Sequence, residues 1–170
     1  MKPFIFILAV LCCPVFAFCQ DITGVWKGTM YNDSTQQSLD YEVVISKVNG
    51  KLTGFSHTSY IINDKKYYGI KKMNVRVAKD GKIVMQDAKL LENNYPGGQN
   101  KNVIQLNVLA LANSGEESFL DGLFVTNRSK EYQAFTGRMS IKKVNLSVAQ
   151  SDLLKYLQKT TEEGNMTVAK

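Results

Sequence analysis

Apolar and polar residues alternate with a period of two along most of the chain from residue 22 to residue 144, and this alternation constrains the fold more than any other feature. The side chains of a β-strand point alternately to the two faces of a sheet, so each alternating run predicts a strand with one buried face. Eight such runs are present, at residues 22–31, 40–48, 51–60, 67–78, 82–91, 102–112, 118–127 and 133–144. The sequence therefore predicts an all-β domain of eight long antiparallel strands.

Short turn sequences separate the predicted strands. Asn49-Gly50 joins two alternating runs, and both residues of such a pair accept the positive φ of a two-residue hairpin turn. Asn63-Asp64 marks a further turn, and Lys79-Asp80-Gly81 predicts a tight turn by the same reasoning for Asp-Gly. Strands joined by short turns pair as antiparallel neighbours. Because an open meander would expose two edges, we favour a closed up-and-down barrel over a two-sheet sandwich.

The sequence after residue 145 has a different pattern. Ser147 and Gln150 have the spacing of a capping box, and apolar residues then recur at helical spacing, at Ala149, Leu153, Tyr156 and Leu157. This pattern predicts one amphipathic helix over residues 147–161, packed on the outside of the barrel. The predicted organisation is a leader at 1–19, a barrel domain at 20–145, and a C-terminal helix and tail at 146–170.

The first 19 residues have the pattern of a secretory signal peptide. Lys2 supplies a positive start, residues 4–18 are almost entirely apolar, and the small residues Ala17 and Cys19 precede a cleavage site before Gln20. The apolar stretch is too short to cross a bilayer, which takes about 20 residues. We therefore expect an exported protein of the periplasm, the cell envelope or the exterior, with no transmembrane span.

All three cysteines, Cys12, Cys13 and Cys19, lie within this predicted leader. The predicted mature chain therefore has no thiol and no disulfide, and its stability depends on its apolar core. A lipoprotein signal that acylates Cys19 is the alternative interpretation of the leader. That signal calls for a small residue before the cysteine, and Phe18 is bulky, so we favour simple export.

The charges of the chain are dispersed. The sequence has 21 Lys and Arg against 15 Asp and Glu, a net charge of +6. The basic residues form separated pairs, at Lys65-Lys66, Lys71-Lys72 and Lys142-Lys143, with no basic block. Proteins that bind nucleic acid concentrate positive charge on one patch or segment, so we expect no nucleic-acid partner.

Three segments resemble a known group of barrels. Residues 22–26 (Ile-Thr-Gly-Val-Trp) and 50–54 (Gly-Lys-Leu-Thr-Gly) resemble the opening strands of avidin and streptavidin, and residues 135–138 resemble a third Thr-Gly strand. Gly-x-Trp near the start of the first strand is also typical of lipocalins and fatty-acid-binding proteins. These families are calycins, meander barrels that hold small apolar ligands. The resemblance covers the first two hairpin strands and extends to the remainder only in topology.

The resemblance does not extend to biotin. Avidins surround that ligand with several tryptophans, whereas Trp26 is the only tryptophan here. Gly28 stands where avidins carry an asparagine. The resemblance therefore implies a ligand cavity without implying biotin as its occupant.

Six residues are the candidate ligand-binding set: Trp26, Tyr41, Ser56, Thr58, Tyr60 and Arg138. A tryptophan on the inner face near one end closes the barrel floor with a large apolar surface. The tyrosines combine a ring with a hydroxyl group, which suits a cavity wall. Ser56 and Thr58 stand where the resemblance implies polar ligand contacts. Arg138 pairs with Asp121 if that strand face is interior; the other interpretation turns Asp121 outward.

The sequence favours binding over catalysis. His57 is the only histidine, and a lone strand histidine is most often a surface residue, so we expect no catalytic group. No ligand spacing for zinc or calcium is present in the sequence, and we expect no metal and no cofactor. An enzyme on the same barrel therefore ranks last among the functions we consider.

Two other functions rank above an enzyme. The first is a non-enzymatic barrel that binds a small apolar ligand. The second is a protein-interaction or inhibitor module of the cell envelope that acts through its rim loops, at residues 32–39, 61–66, 92–101 and 128–132.

Overall fold

Each alternating run of the sequence forms a strand that pairs with its neighbours along the chain. The computed structural model describes residues 21–96, 103–130 and 132–162; the predicted leader lies outside this range. The strands are β1 Gly24–Asn32, β2 Gln37–Val48, β3 Lys51–Ile62, β4 Lys65–Val77, β5 Ile83–Asn93, β6 Gln105–Ser114, β7 Glu117–Thr126 and β8 Thr136–Val144. β1 also pairs with β8, so the eight strands close into an antiparallel up-and-down barrel. The predicted barrel is confirmed, and the two-sheet alternative is wrong.

Two of the predicted turns have the backbone that their residues favour. Asn49 and Gly50 have φ angles of 49° and 78°, and Asn63 and Asp64 have φ angles of 49° and 60°. Both pairs are therefore two-residue turns with positive φ at each position, which match the twist of the flanking strands. These turns fix the register of β2 with β3 and of β3 with β4.

The turn predicted at Lys79-Asp80-Gly81 is present, but positive φ is confined to its last residue. Only Gly81 has a positive φ, of 81°, and its backbone N donates a hydrogen bond to the oxygen of Ala78 at 3.0 Å. The backbone N of Ala78 donates in turn to the oxygen of Lys82 at 2.8 Å. The connection is thus a three-residue loop with glycine in the left-handed position, a common alternative to the two-residue turn.

The closing seam between β1 and β8 brings two backbones very close together. Eight residues of β1 pair with β8, from Val25 opposite Val144 to Asn32 opposite Gly137. A Cβ atom at Gly28 would overlap the backbone oxygen of Ser140. Glycine is therefore required at this point of the first strand, where a small barrel bends.

The inward-facing residues of all eight strands form one apolar core. Trp26 is fully buried near the start of β1, and its Nε1 donates a hydrogen bond to the backbone oxygen of Ile22 at 2.9 Å. The residues clustered with it include Val43, Ile45, Met139 and Ile141. This end of the barrel is filled by side chains, as the inward position of Trp26 predicts.

The C-terminal helix is shorter than the sequence predicts. A 3-10 turn occupies Val148–Gln150, and the α-helix α1 spans Asp152–Glu162. Ser151 between them is extended, and its Oγ accepts a hydrogen bond from the backbone N of Leu154 at 2.9 Å. Ser151 is therefore the N-cap of α1, and the helix does not run continuously from Ser147. The reason is that the Ser151 hydroxyl also donates to the Glu42 carboxylate on the barrel wall.

The apolar face of α1 covers the outside of the barrel, as predicted. Leu153 and Leu157 are buried against Phe55 of β3 and Ile70 of β4. Lys66 holds the first turn of the helix through an ion pair with Asp152, at 2.9 Å between Nζ and Oδ2. Within the described residues, no helix combines the length and the apolar character needed to cross a membrane.

Replacement of Gly50 by valine tests the turn between β2 and β3. A β-branched side chain at positive φ is strained, so we expect a loss of about 1–3 kcal/mol in the free energy of unfolding. Gly50→Asn is the matched control, because asparagine tolerates the left-handed region, and its loss should be smaller. Urea unfolding measures both variants. Equal stability of the valine variant and the wild type would contradict the turn geometry.

Candidate functional site

The end of the barrel opposite Trp26 contains a cavity of about 650 Å³. The turn after β1, the turn after β3, and the described parts of the connections after β5 and β7 surround its mouth. These are the connections that the sequence analysis expects as rim loops. The apolar side chains of the lining include Met30, Leu39, Leu90, Phe124 and Phe135. The polar side chains include Thr58, Tyr60, Lys71, Asp87, Tyr95 and Gln105.

An ion pair lies in the wall of this cavity. The Nζ atom of Lys71 on β4 is 2.5 Å from Oδ2 of Asp87 on β5, and the two side chains are only 18% and 8% exposed. The same carboxylate oxygen accepts a hydrogen bond from the backbone N of Gln105 at 3.0 Å. The pair is therefore fixed on both sides and largely shielded from solvent.

Asp87 stands where the ladder between β5 and β6 ends. These two strands pair over only four positions, from Ile83 opposite Leu109 to Gln86 opposite Leu106. Gln105 follows at the start of β6, where its backbone N bonds the Asp87 side chain. The carboxylate thus supplies an acceptor at the point where backbone pairing of these strands stops.

A β-bulge sets which residues of β5 face the cavity. Met73 pairs with Asp87 and Lys72 pairs with Lys89, so Ala88 is an extra residue between them. Beyond the bulge, Leu90 pairs with Lys71 on the inner face. A strand without the bulge would turn Lys89 inward instead of Leu90. The extra residue therefore leaves Lys89 exposed at the mouth of the cavity and turns Leu90 toward its interior.

Three tyrosines stack at the rim. The rings of Tyr60 and Tyr67 have centroids 5.7 Å apart, and those of Tyr60 and Tyr95 are 6.1 Å apart and nearly parallel. The hydroxyl of Tyr95 occupies the space that a side chain at Gly69 would need. Burial raises the pKa of the Tyr95 phenol above its ordinary value, so the group is neutral at pH 7. The stack supplies a flat aromatic surface at one side of the mouth.

A buried polar layer separates the cavity from the apolar floor. The hydroxyl of Tyr41 lies 3.5 Å from Sδ of Met73, and burial raises the pKa of this phenol. The side chains of Ser56 and Asn107 lie next to this hydroxyl, and their hydrogen bonds with it oppose the shift. Gln105 connects this layer to the cavity, because its Nε2 donates to Oδ1 of Asn107 at 2.7 Å.

The structure brings together only part of the candidate ligand-binding set. Thr58 and Tyr60 line the cavity, while Tyr41 and Ser56 lie in the polar layer beneath it. Trp26 lies at the filled end and does not line the cavity.

Arg138 lies on the outer face, because its neighbours Gly137 and Met139 face inward. Asp121 is also exposed, and Ser140 Oγ donates to its Oδ1 at 2.6 Å. The interior Asp121–Arg138 pair is therefore wrong, because both side chains lie on the solvent side of their strands.

The sequence analysis missed Lys71, Asp87 and Gln105. It placed Lys71 among dispersed surface charges, although the inward phase of Met73 and Val75 on the same strand also puts position 71 inside. Asp87 follows the inward residues Ile83 and Met85 at the same spacing. The alternation of inward and outward residues along β4 and β5 could therefore have predicted that Lys71 and Asp87 face the interior.

A second group of ionisable residues lies on the outer wall, beneath the start of α1. Glu42 of β2 and His57 of β3 are opposite each other and are 4% and 7% exposed. Burial raises the pKa of Glu42, although the hydrogen bond from Ser151 opposes this shift. Burial, and next the charge of Lys66, lowers the pKa of His57. The expectation of a surface histidine is wrong because the C-terminal segment covers this face.

The described residues contain no group of three or more His, Cys, Asp or Glu side chains that could hold a metal ion. The buried ionisable groups described above lie in two separate places. Lys71 and Asp87 lie inside the barrel, and Glu42 and His57 lie outside it.

No family model, no curated protein and no solved structure matches the chain. The likeness of the Thr-Gly-x-Trp strand to avidins and lipocalins therefore has no support beyond the residues that carry it. The fold is that of a closed meander barrel.

Removal of one member of the cavity ion pair should destabilise the barrel. Asp87→Leu leaves the Lys71 ammonium without its counter-charge, and we expect a loss of about 3 kcal/mol in the free energy of unfolding. The double variant Lys71→Met/Asp87→Leu replaces the pair by apolar groups but also removes the acceptor of the Gln105 backbone N, so it should be more stable than Asp87→Leu and remain about 1–2 kcal/mol below the wild type. Chemical unfolding of the three proteins measures this. A double variant as unstable as the single one would contradict a shielded pair.

Glu42→Gln tests the burial of the outer carboxyl group. The folded pKa of Glu42 is raised above the ordinary value of 4.5, so its contribution to stability falls as the pH rises through that raised value. Glutamine does not titrate. The stability of Glu42→Gln relative to the wild type should therefore increase from pH 4 to pH 7, as measured by thermal unfolding across this range. A constant or decreasing difference would show that Glu42 is not buried as described.

Proposed function

We propose that this protein is an exported, non-enzymatic binding protein that holds a small, largely apolar molecule in the cavity of its barrel. The observation that supports this most is the cavity volume of about 650 Å³ at one end, while the other end is filled around Trp26. Cavities that bind small molecules have volumes of roughly 300–1,000 Å³. An eight-stranded barrel is wide enough to hold one such ligand.

The composition of the cavity wall supports a mostly apolar ligand. Met30, Leu39, Phe124 and Phe135 offer apolar surface, and the polar groups are concentrated around Lys71 and Asp87. Binding sites for small molecules combine apolar walls with a few placed polar groups that orient the ligand.

We infer binding rather than catalysis, because the only histidine of the sequence lies on the outer face of the barrel and does not line the cavity. The proposal that the protein is exported depends only on the signal-peptide pattern of residues 1–19.

A protein-interaction module is the second candidate, and exposed apolar residues at the rim support it. Ile61 and Ile62 at the end of β3 are 70% and 40% exposed, and Ile104 before β6 is 41% exposed. All three lie around the mouth of the cavity, where rim loops would meet a partner protein. This candidate requires no small molecule inside the barrel.

A cavity-filling substitution distinguishes the two candidates. Thr58 lines the cavity, whereas Thr29 is exposed on the outer face of β1, so Thr58→Trp and Thr29→Trp add the same group inside and outside. We expect the wild type and Thr29→Trp to bind the neutral apolar dye Nile red saturably, with enhanced fluorescence. Thr58→Trp should weaken binding about tenfold or more, since its indole takes up ligand space.

Thermal unfolding of each variant checks that the barrel remains folded. Saturable binding that is equal in the two tryptophan variants would place the dye outside the cavity and contradict the proposal. Absence of binding by the folded wild type, to Nile red and to a panel of sterols and fatty acids, would favour the interaction module.

A further inference from the structure

We propose that the cavity selects an uncharged ligand group that both accepts and donates hydrogen bonds, as a carboxamide does, over a carboxylate or an amine. This inference rests on the proposed function, because it concerns the polar end of the ligand held in the same cavity. It follows from the charge balance and the unused hydrogen-bonding atoms of Lys71, Asp87 and Gln105.

The ion pair leaves the polar wall of the cavity with no net charge. Lys71 and Asp87 neutralise each other at 2.5 Å, and both side chains are largely shielded from solvent. Lys89 lies at the mouth, where it is exposed to water. A charged ligand group would lose its hydration inside the cavity and would find no uncompensated opposite charge there. An uncharged polar group loses much less on leaving water.

The same residues retain two N–H donors and two acceptor oxygens. An ammonium group has three N–H donors, and Lys71 directs one of them to Oδ2 of Asp87. Oδ2 also accepts from the backbone N of Gln105, while Oδ1 of Asp87 has no hydrogen-bond partner among the described residues.

The amide of Gln105 likewise has hydrogen-bond partners on one of its two polar atoms. Its Nε2 donates to Asn107, at 2.7 Å, and lies 3.2 Å from Sδ of Met30. Its Oε1 has no partner in the described part of the chain. Donor and acceptor capacity thus remain next to each other on one wall of the cavity.

A carboxamide matches this arrangement. Its carbonyl oxygen accepts a hydrogen bond from the Lys71 ammonium, and its N–H group donates to Oδ1 of Asp87 or to Oε1 of Gln105. A carboxylate would compete with Asp87 for Lys71 and would repel the Asp87 carboxylate. An ammonium group would repel Lys71 in the same way. The apolar remainder of the ligand then lies against the side chains opposite this wall.

Competition among three eight-carbon ligands with different polar groups tests the inference. Octanamide, octanoate and octylamine each carry one linear alkyl chain, and each is titrated against Nile red bound to the full chain at pH 7. We expect octanamide to displace the dye at a concentration about tenfold lower than either charged ligand.

In the double variant Lys71→Met/Asp87→Leu the preference for octanamide should be lost while Nile red still binds. Lys142→Met/Glu117→Leu removes an exposed ion pair of 3.2 Å on the outer face and should leave the preference unchanged.

The outcomes separate the inference from the proposed function. If Nile red binds but octanoate or octylamine displaces it as well as octanamide does, the proposed function stands and the ligand selectivity is wrong. Persistence of the octanamide preference in Lys71→Met/Asp87→Leu would also overturn the role of the ion pair. If the folded protein binds neither the dye nor any of the three ligands, the proposed function itself fails.

Discussion

The pairing of β1 with β8 is the constraint on which the rest of the structure depends. It converts a meander with two open edges into a closed wall, and only a closed wall defines an inside. The register of this seam places Trp26 and Met30 on the inner face together with Met139 and Ile141. Gly28 permits the close approach of the two backbones at this seam. The apolar floor and the cavity above it both follow from this closure.

The weakest seam of the barrel lies elsewhere, between β5 and β6, and it determines the chemistry of the cavity. Four residue pairs join these strands, and beyond Gln86 the Asp87 carboxylate takes over as an acceptor for Gln105. A carboxylate used in this way inside a barrel needs a counter-charge, which Lys71 supplies. The same ion pair that completes the wall therefore gives the cavity a neutral but polar surface. Under the proposed function, these residues have a structural role and a binding role at once.

The alternation of apolar residues was sufficient to predict eight strands and their antiparallel order, because one buried face is what makes a strand recognisable in sequence. The turn at Asn49-Gly50 was predictable because few residues tolerate its backbone. The bulge at Ala88 was not, since an inserted residue changes the phase without a composition signal. The burial of His57 depends on where α1 docks, which no local pattern specifies. Arg138 was a wrong candidate because the sequence did not decide which face of β8 is interior.

Paramagnetic broadening of two NMR signals tests the central claim that the barrel is filled at one end and accessible at the other. Met30 lines the cavity, and Trp26 is fully buried at the filled end with its indole N–H bonded to Ile22. The small neutral nitroxide TEMPOL should broaden the Met30 methyl signal strongly and leave the single indole N–H signal sharp. A sharp Met30 methyl signal, or equal broadening of both signals, would contradict the account.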